Sequence, residues 1–311
     1  MPNLETVTLP AGLTGIPKDA FAGSAKLATV KFGAADASNG GSGGPSGRAV
    51  TGNDTAITLP TGITSIGNNA FAGTAATTVD LSKVTGLTTI GENTFRGMTS
   101  LTTVTLPSGL TSIGQSAFQN DAALKTLSQA AAPATGGDSQ VRDETTPATN
   151  AATFGNSLIS IGTNAFNGTG FSTVDLSKAG TAASGGNPST PAQTLSVGAN
   201  AFTNMPELTT VKLPANANIN PTYFGNPTTE GATPKLASIT YGGTTTSATA
   251  TTGNDTTISS LNFSKITNQT IEIKSSVGSS GITFTGGVFN GNDTMTTLKL
   301  NVTATNGNNP L

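Results

Sequence analysis

Apolar residues recur along this chain with a period of about 23 residues. Three successive stretches follow one template, and they read LPTGITSIGNNAF at residues 59–71, LSKVTGLTTIGENTF at 81–95 and LPSGLTSIGQSAF at 106–118. Each ends on a phenylalanine, and the spacing lies in the range of a leucine-rich repeat. The pattern predicts a solenoid in which each repeat forms one coil.

Each repeat is predicted to begin with a short strand. In the stretch LTTVTL, alternation directs Val104 and Leu106 inward and Thr103 and Thr105 outward. One such unit cannot bury its apolar face alone, so neighbouring coils must stack into a continuous core.

The rest of the unit turns back toward the next strand. Pro107 ends the strand pairing, and Leu110 and Ile113 re-enter the core. We expect Gly114 to supply backbone freedom at a corner. Phe118 then fills the wall opposite the strand, so the aromatic positions are predicted to form a structural column.

The template recurs with Phe21, Phe166 and Phe202, and more loosely with Phe289. Residues 216–234 match worst, and Phe224 belongs there either to a worn repeat or to a loop. We interpret residues 1–311 as a single solenoid that stops within a repeat at both ends, without polar caps, and so as a piece of a longer protein. Insertions rich in Ala, Thr, Gly and Pro follow the short strands, at about 33–55, 128–156, 180–193 and 242–256.

The string L-P-x-x-L-x-x-I-G-x-x-A-F at 59–71 and 106–118 resembles the BspA-like, or Treponema pallidum type, leucine-rich repeat. The resemblance implies an α/β-type, strand-rich solenoid: a right-handed array with short parallel strands, little regular helix and low-complexity loops on one side. It also implies a bacterial surface or secreted protein that acts in adhesion. Motif residues such as Ile113 and Phe118 are scaffold in that family, so no binding residue carries over.

Composition excludes several functions. Charged residues make up 10% of the chain and the net charge is −2, which favours neither nucleic acid nor a membrane surface as a partner. Cysteine and histidine are absent, which removes the commonest nucleophile, base and metal ligand. No apolar run approaches the roughly 20 residues of a membrane span, and residues 1–6 show no signal peptide. We predict no cofactor, no metal and no catalytic residue, and leave the oligomeric state open.

Outward strand positions form a candidate binding face. The alternative is a solvated row of β-forming residues without a partner, and ice binding is disfavoured because charged residues interrupt the threonines. The wider row also takes in Thr8, Asn262 and Lys299. The face itself comprises Lys31, Thr58, Asp80, Thr105, Thr126, Asp175, Lys212 and Thr240.

Gly-Asn-Asp-Thr occurs at residues 52–55, 253–256 and 291–294. These are typical polar turns before a strand. The Asp-Thr-x triplets also resemble the O-glycosylation acceptor motif of Bacteroidetes, which makes Thr55, Thr256 and Thr294 candidate glycosylation sites. A calcium site is disfavoured because each turn offers one carboxylate.

The one acidic cluster in the sequence comprises Asp138, Asp143 and Glu144, with Arg142 among them. General acid–base catalysis by these carboxyl groups would need a rigid, partly desolvated site. A Gly, Pro and Ala-rich segment does not provide one, so the cluster is interpreted as solvated charge.

We therefore hypothesise a non-enzymatic, extracellular or cell-surface module that binds proteins or glycoproteins of host or bacterial surfaces. Tight binding sites favour Trp, Tyr and Arg, whereas this chain has no Trp and 2 Tyr. Its contacts should be weak and multivalent. The alternative is a structural spacer of the cell envelope that displays variable loops.

Overall fold

A computed structural model describes most of the first two thirds of the chain and separate strands beyond it. Side chains are described for residues 1–10, 12–32, 55–130, 150–180, 195–214 and 224. The backbone is also described for 238–241, 256–259, 270–277, 282–285 and 297–304. Within these ranges there are twenty short β-strands and no helix. The predicted strand-rich array of parallel strands is confirmed.

Twelve parallel strands stack as one sheet, which we call the main sheet. In the strand Thr103–Leu106, for example, the apolar residues of the alternating segment Thr-Val-Thr-Leu are buried while its threonines are half-buried. The strands are β1 (Thr6–Leu9), β3 (Thr29–Phe32), β4 (Ala56–Thr58), β6 (Thr78–Asp80), β8 (Thr103–Leu106), β10 (Thr126–Gln129), β11 (Ala151–Thr153), β13 (Thr173–Asp175), β15 (Thr210–Leu213), β16 (Ser238–Tyr241), β18 (Thr270–Val277) and β20 (Thr297–Ala304).

Six two-residue strands form the opposite side of the coils, which we call the second wall. The second residue of each is Ile or Val and faces the core, and a glycine or proline follows it. The strands are β2 (Gly15–Ile16), β5 (Ser65–Ile66), β7 (Thr89–Ile90), β9 (Ser112–Ile113), β12 (Ser160–Ile161) and β14 (Ser196–Val197). Two further strands, β17 (Thr256–Ser259) and β19 (Ile282–Thr285), pair with each other.

The predicted phenylalanine column is present. Successive rings stack with centroids 5.2 to 5.7 Å apart and interplanar angles of 3 to 23°. Stacked rings of this kind add to the free energy gained by burying their surface. The column comprises Phe21, Phe71, Phe95, Phe118, Phe166, Phe202 and Phe224.

The role predicted for Gly114 is wrong. Its backbone is not left-handed; instead, a Cβ there would lie 2.8 Å from the carbonyl carbon of Gly91 in the previous coil. Glycine is needed because two coils approach too closely for a side chain. A left-handed conformation occurs two residues before each column phenylalanine from Phe21 to Phe202, at Asn93 (φ 54°), Ser116 (φ 53°) and Asn164 (φ 57°) for example.

Two strands of the main sheet belong to coils whose described residues add no strand to the second wall. Both β3 and β10 pair with main-sheet neighbours on either side. Yet β2 pairs directly with β5, and β9 with β12. Phe21 likewise stacks on Phe71, and Phe118 on Phe166. We call these two coils half-coils, because their described residues contribute to one side of the solenoid alone.

The half-coils make the main sheet the longer side. From β1 to β13 the described chain has eight main-sheet strands against six second-wall strands over the same coils. Adjacent strands are about 4.8 Å apart, so each half-coil lengthens one side by one layer. The solenoid must therefore bend toward the second wall at β3 and β10, which leaves the main sheet on the outer side of both bends.

Gln129, at the end of β10, closes the second half-coil. Its Oε1 accepts a hydrogen bond from the Gly155 N–H at 2.7 Å. Its Nε2 lies 2.8 Å from the Ser157 hydroxyl and 3.1 to 3.2 Å from the carbonyl oxygens of Pro107, Ser108 and Leu110. One polar side chain thus ties the turn of the preceding coil to the turn of the following coil.

Two predicted insertions coincide with the half-coils. The insertion at about 33–55 follows β3, and the one at about 128–156 begins within β10, at the two points where the described chain adds no second-wall strand. The array continues through Gln129 and resumes at Asn150, because β11 and the buried Phe154 lie inside the range predicted as inserted. Phe224 stacks on Phe202 at 5.2 Å, as the worn-repeat interpretation expects. Phe289 lies outside the described residues.

Candidate binding face

The outer face of the main sheet carries two rows of residues at matching register positions. Nine of the twelve first-row positions are threonine. The first row comprises Thr6, Thr29, Ala56, Thr78, Thr103, Thr126, Ala151, Thr173, Thr210, Ser238, Thr270 and Thr297. The second row, two residues further along each strand, comprises Thr8, Lys31, Thr58, Asp80, Thr105, Ser128, Thr153, Asp175, Lys212, Thr240, Glu272 and Lys299.

Most of the predicted face residues share the second row. Thr126 lies instead in the first row, beside Thr103, and Ser128 takes its place in the second. The reason is that Leu127 pairs with Val104 and not with Leu106. Sequence reasoning also missed Thr153, because that position fell within a predicted insertion. Asn262 lies outside the described residues. The second-row positions predicted from sequence are Lys31, Thr58, Asp80, Thr105, Asp175, Lys212 and Thr240.

Asp175 and Lys212 neutralise each other on adjacent strands, and we call them the closed pair. The Lys212 Nζ lies 3.0 Å from Asp175 Oδ2. Asp175 Oδ1 also accepts hydrogen bonds from the Ser177 hydroxyl at 2.6 Å and the Ser177 N–H at 3.1 Å. Burial raises the pKa of Asp175, but the hydrogen bonds from Ser177 and Lys212 outweigh it and the net pKa is lowered. Both charges are therefore engaged within the face.

Lys31 and Asp80 are arranged differently, and we call them the open pair. They lie on β3 and β6, on either side of Thr58 on β4. Asp80 Oδ1 accepts the Ser82 N–H at 2.9 Å, and no ion pair involves either residue among the side chains that the structure describes. Lys31 is exposed and Asp80 half-buried. These two charges remain available to a partner.

A third row of hydroxyl groups, at the start of the strands, is occupied by the scaffold itself. Thr77 donates to the carbonyl oxygen of Thr55 at 3.1 Å, and Thr102 donates to that of Thr77 at 3.0 Å. Ser172 and Thr209 continue the same pattern further along. Part of the threonine content thus joins successive coils.

The candidate glycosylation sites differ in what the structure describes of them. The Thr55 hydroxyl is hydrogen bonded to the Thr77 hydroxyl in a partly buried position. Thr256 begins β17, of which the backbone is described. Thr294 lies outside the described residues, as do Asp138, Arg142, Asp143 and Glu144 of the acidic cluster.

Asp121, in the turn after Phe118, is the fully buried carboxyl group of the described chain. Its Oδ1 accepts the Met98 N–H at 2.8 Å, and its Oδ2 has no hydrogen-bond partner. Burial raises the pKa of Asp121 well above its ordinary value, although backbone N–H groups of Met98 and Gly97 act in the opposite direction. It lies in a packed turn away from the face, so we treat it as a feature of stability.

Two kinds of feature are absent from the described residues. They contain no group of three or more acidic residues placed to hold a metal ion. No helix long and apolar enough to cross a membrane occurs among them. The arrangement is suited to contact across a broad polar surface.

Three solved structures are similar to this chain. The pneumococcal vaccine antigen PcpA is 16% identical over 96% of this chain and 68% of its own, with a TM-score of 0.42. A leucine-rich repeat protein from Bacteroides ovatus is 17% identical over 97% and 78%, with a TM-score of 0.43. A leucine-rich cell surface protein from Faecalibacterium prausnitzii is 17% identical over 95% and 78%, with a TM-score of 0.31.

The sequence itself identifies the family. No curated protein matches the chain. The BspA type leucine-rich repeat region, however, matches in six copies at residues 1–39, 51–133 and 145–247. These ranges cover more than half of the chain and contain the phenylalanine column and most of the main sheet. The protein belongs to the BspA-type leucine-rich repeat family.

Proposed function

We propose that this protein is a non-enzymatic, extracellular or cell-surface module that binds proteins or glycoproteins of host or bacterial surfaces. The observation that carries the proposal is the main-sheet face, where two rows of mostly hydroxyl-bearing residues run across twelve strands on the outer side of the bends. Family membership supports it.

The chemistry of the face favours weak contacts repeated many times. The described part of the face carries threonine, serine and four charged residues, and no aromatic side chain. Interfaces of high affinity concentrate their binding energy in Trp, Tyr and Arg. Many copies at a cell surface would compensate, because linked weak contacts raise the effective affinity by orders of magnitude.

The experiment compares free protein with protein displayed at high density on beads, tested against a host matrix extract and whole bacterial surfaces. We expect the beads to adhere and the monomer to bind weakly. Nanomolar binding by the monomer would contradict the weak-contact mechanism. Absence of adhesion by the beads would contradict the proposed function.

Two exposed threonines provide a matched test of which face binds. Thr58 lies on the main sheet and Thr89 on the second wall. We expect bead adhesion to fall with Thr58→Glu and to persist with Thr89→Glu. The reverse result would move the binding face to the second wall.

The alternative function is a structural spacer that displays variable loops, and the half-coils favour it. At each of them the phenylalanine column closes without a gap, although a long segment follows the main-sheet strand in the sequence. Replacing residues 33–54 and 131–149 by short Gly-Ser linkers and deleting 182–193 and 242–255 separates the two functions. A spacer keeps its fold without its loops, and an adhesin that binds through those loops loses adhesion.

O-glycosylation at Thr55, Thr256 and Thr294 is part of the same proposal, because it would suit an exported protein. Mass spectrometry of protein isolated from its native host tests it. Unmodified peptides spanning all three residues would refute this part.

A further inference from the structure

Charged residues of the main-sheet face fall into two kinds of pair. In the closed pair, Lys212 contacts Asp175 at 3.0 Å, and the Asp175 carboxylate is further hydrogen bonded by Ser177. In the open pair, Lys31 and Asp80 are separated by a whole strand that carries Thr58. A partner that approached the closed pair would have to compete with bonds already made, whereas the open pair has none between its two charges.

The first half-coil creates the open pair. Without β3, Thr8 of β1 would lie beside Thr58 of β4, and the row would be uncharged as far as Asp80. The half-coil inserts Lys31 into the row without adding a strand to the second wall. It also places that lysine on the outer side of a bend, where a partner has access.

Register fixes the geometry of the open pair. Two strand spacings separate the Cα atoms of Lys31 and Asp80, about 10 Å along the solenoid axis. A polypeptide in the polyproline II conformation rises about 3.1 Å per residue with three residues per turn, so side chains three positions apart lie on one face and span about the same distance.

We propose that the open pair, with Thr58 between its charges, is a docking site for a segment of another protein in the polyproline II conformation that carries an acidic and a basic residue three positions apart. The acidic residue contacts Lys31, the basic residue contacts Asp80, and the Thr58 hydroxyl lies beneath the backbone between them. The proposal rests on the proposed function, and it names the partner chemistry of one part of that face.

Charge complementarity distinguishes this partner from others. A neutral glycan offers no charge to either residue, and a phosphate group attracted by Lys31 is repelled by Asp80. A segment that carries both signs satisfies both. Because an exposed ion pair contributes little by itself, each docking event is weak, in agreement with a multivalent function.

The probe is a ten-residue synthetic peptide with a Gly, Ser and Thr background and Glu and Lys three positions apart. It is titrated into 15N-labelled full-length protein at low ionic strength, with a Gln and Gln version of the same peptide as control. We expect chemical-shift changes at the Lys31, Thr58 and Asp80 amides, at least about fivefold weaker affinity for the control peptide, and loss of the difference in high salt.

Two lysines provide matched variants. Lys31→Glu should abolish the preference for the Glu and Lys peptide and create one for a Lys and Lys peptide. Lys212→Glu, in the closed pair, should leave the response at β3 to β6 unchanged. The dispersion of the amide spectrum reports whether each variant is folded.

Three results would overturn the proposal. The first is no chemical-shift change at about 10 mM peptide, a concentration high enough to detect the weak binding expected from exposed ion pairs. The others are equal affinity for the charged and neutral peptides, and an unchanged preference in Lys31→Glu. Bead adhesion that survives such a result would leave the proposed function standing. Peptide docking without bead adhesion would support the docking site and contradict the proposed function, so the two failures are distinguishable.

Discussion

Regular coils and the half-coil of β10 are closed by different interactions. In a regular coil, a buried strand residue, a second-wall isoleucine and a stacked phenylalanine fill the core, as Val79, Ile90 and Phe95 do with no exposed surface. In the half-coil of β10, the described chain contributes no second-wall strand, and the side chain of Gln129 bonds the two flanking turns.

The difference shows how an array can gain loops without losing its core. Apolar columns tolerate a skipped layer because the rings of adjacent regular coils can close over it, as Phe118 and Phe166 do at 5.2 Å. Polar backbone groups of the flanking turns cannot be left unpaired in the same way. In the half-coil of β10 a polar side chain therefore lies where the regular coil of β8 has Leu106, whereas the half-coil of β3 has the partly buried Phe32 at the matching end of its strand.

The largest effect should come from breaking the column in a regular coil. Phe95 is fully buried, and its ring stacks on Phe71 at 5.7 Å and on Phe118 at 5.3 Å. We expect Phe95→Ala to lower the free energy of unfolding by about 3 to 5 kcal/mol in urea titrations, because it leaves a cavity. Arg96→Ala, at the exposed neighbouring position, is the control, and a loss below about 1 kcal/mol for Phe95→Ala would refute the column as the main source of stability.

The next effect tests the closure of the half-coil. Gln129→Leu keeps the size of the side chain but leaves the Gly155 N–H without its acceptor. The carbonyl oxygens of the preceding turn lose one donor and keep those from the Ser157 hydroxyl and the Leu110 N–H. We expect a loss of about 2 to 3 kcal/mol in the same titrations. Gln115→Leu, at an exposed position of a regular turn, should cost less than about 0.5 kcal/mol. Similar losses for the two variants would mean that the network does not stabilise the half-coil.

A third test concerns the buried carboxyl group of Asp121. Positions equivalent to Asp121 hold Thr74 and Thr169, whose hydroxyls donate to carbonyl oxygens three residues earlier at 2.9 and 2.8 Å. Asp121→Thr should therefore raise the free energy of unfolding by about 1 to 2 kcal/mol at pH 7.

Its pH dependence has a definite sign. Because burial raises the pKa of Asp121, the folded chain holds this proton more tightly than the unfolded chain. The carboxyl group costs stability as pH rises above its ordinary pKa of about 4, until the folded pKa is passed. The advantage of Asp121→Thr should shrink between pH 7 and pH 4, and an advantage independent of pH would contradict this explanation. The pKa of Asp175 is lowered, so the stability lost in Asp175→Asn should be fully present above about pH 4 and should fade as pH falls through the folded pKa.

The smallest effect concerns the backbone that both kinds of coil share. Ser116 adopts a left-handed φ of 53°, where neighbouring coils have Asn93 and Asn164. Asparagine tolerates this conformation better than serine. Ser116→Asn should therefore stabilise the chain by up to about 1 kcal/mol, whereas Ser112→Asn on β9 should not. Destabilisation by Ser116→Asn would show that side-chain room, and not backbone strain, limits this position.

Much of the scaffold followed from local sequence. Alternation in LTTVTL identified the buried Val104 and Leu106, and the spacing of the phenylalanines identified the column. The face was largely predictable for the same reason, since threonines beside buried residues must point outward. The predicted adhesion function and glycosylation sites remain predictions, because no feature of the described chain tests them.

The sequence by itself determined the coil, its inward and outward positions and the family, because each depends on residues close together in the chain. Only the tertiary structure decided that the described residues of the coils of β3 and β10 add no second-wall strand. It also decided that Ser128 and not Thr126 completes the second row, and that Lys212 but not Lys31 forms an ion pair among the described side chains. The physical reason is that these properties depend on which coils become neighbours. A long insertion in the sequence looks the same whether it extends a coil or replaces half of one, and hydrogen bonding between strands settles the difference.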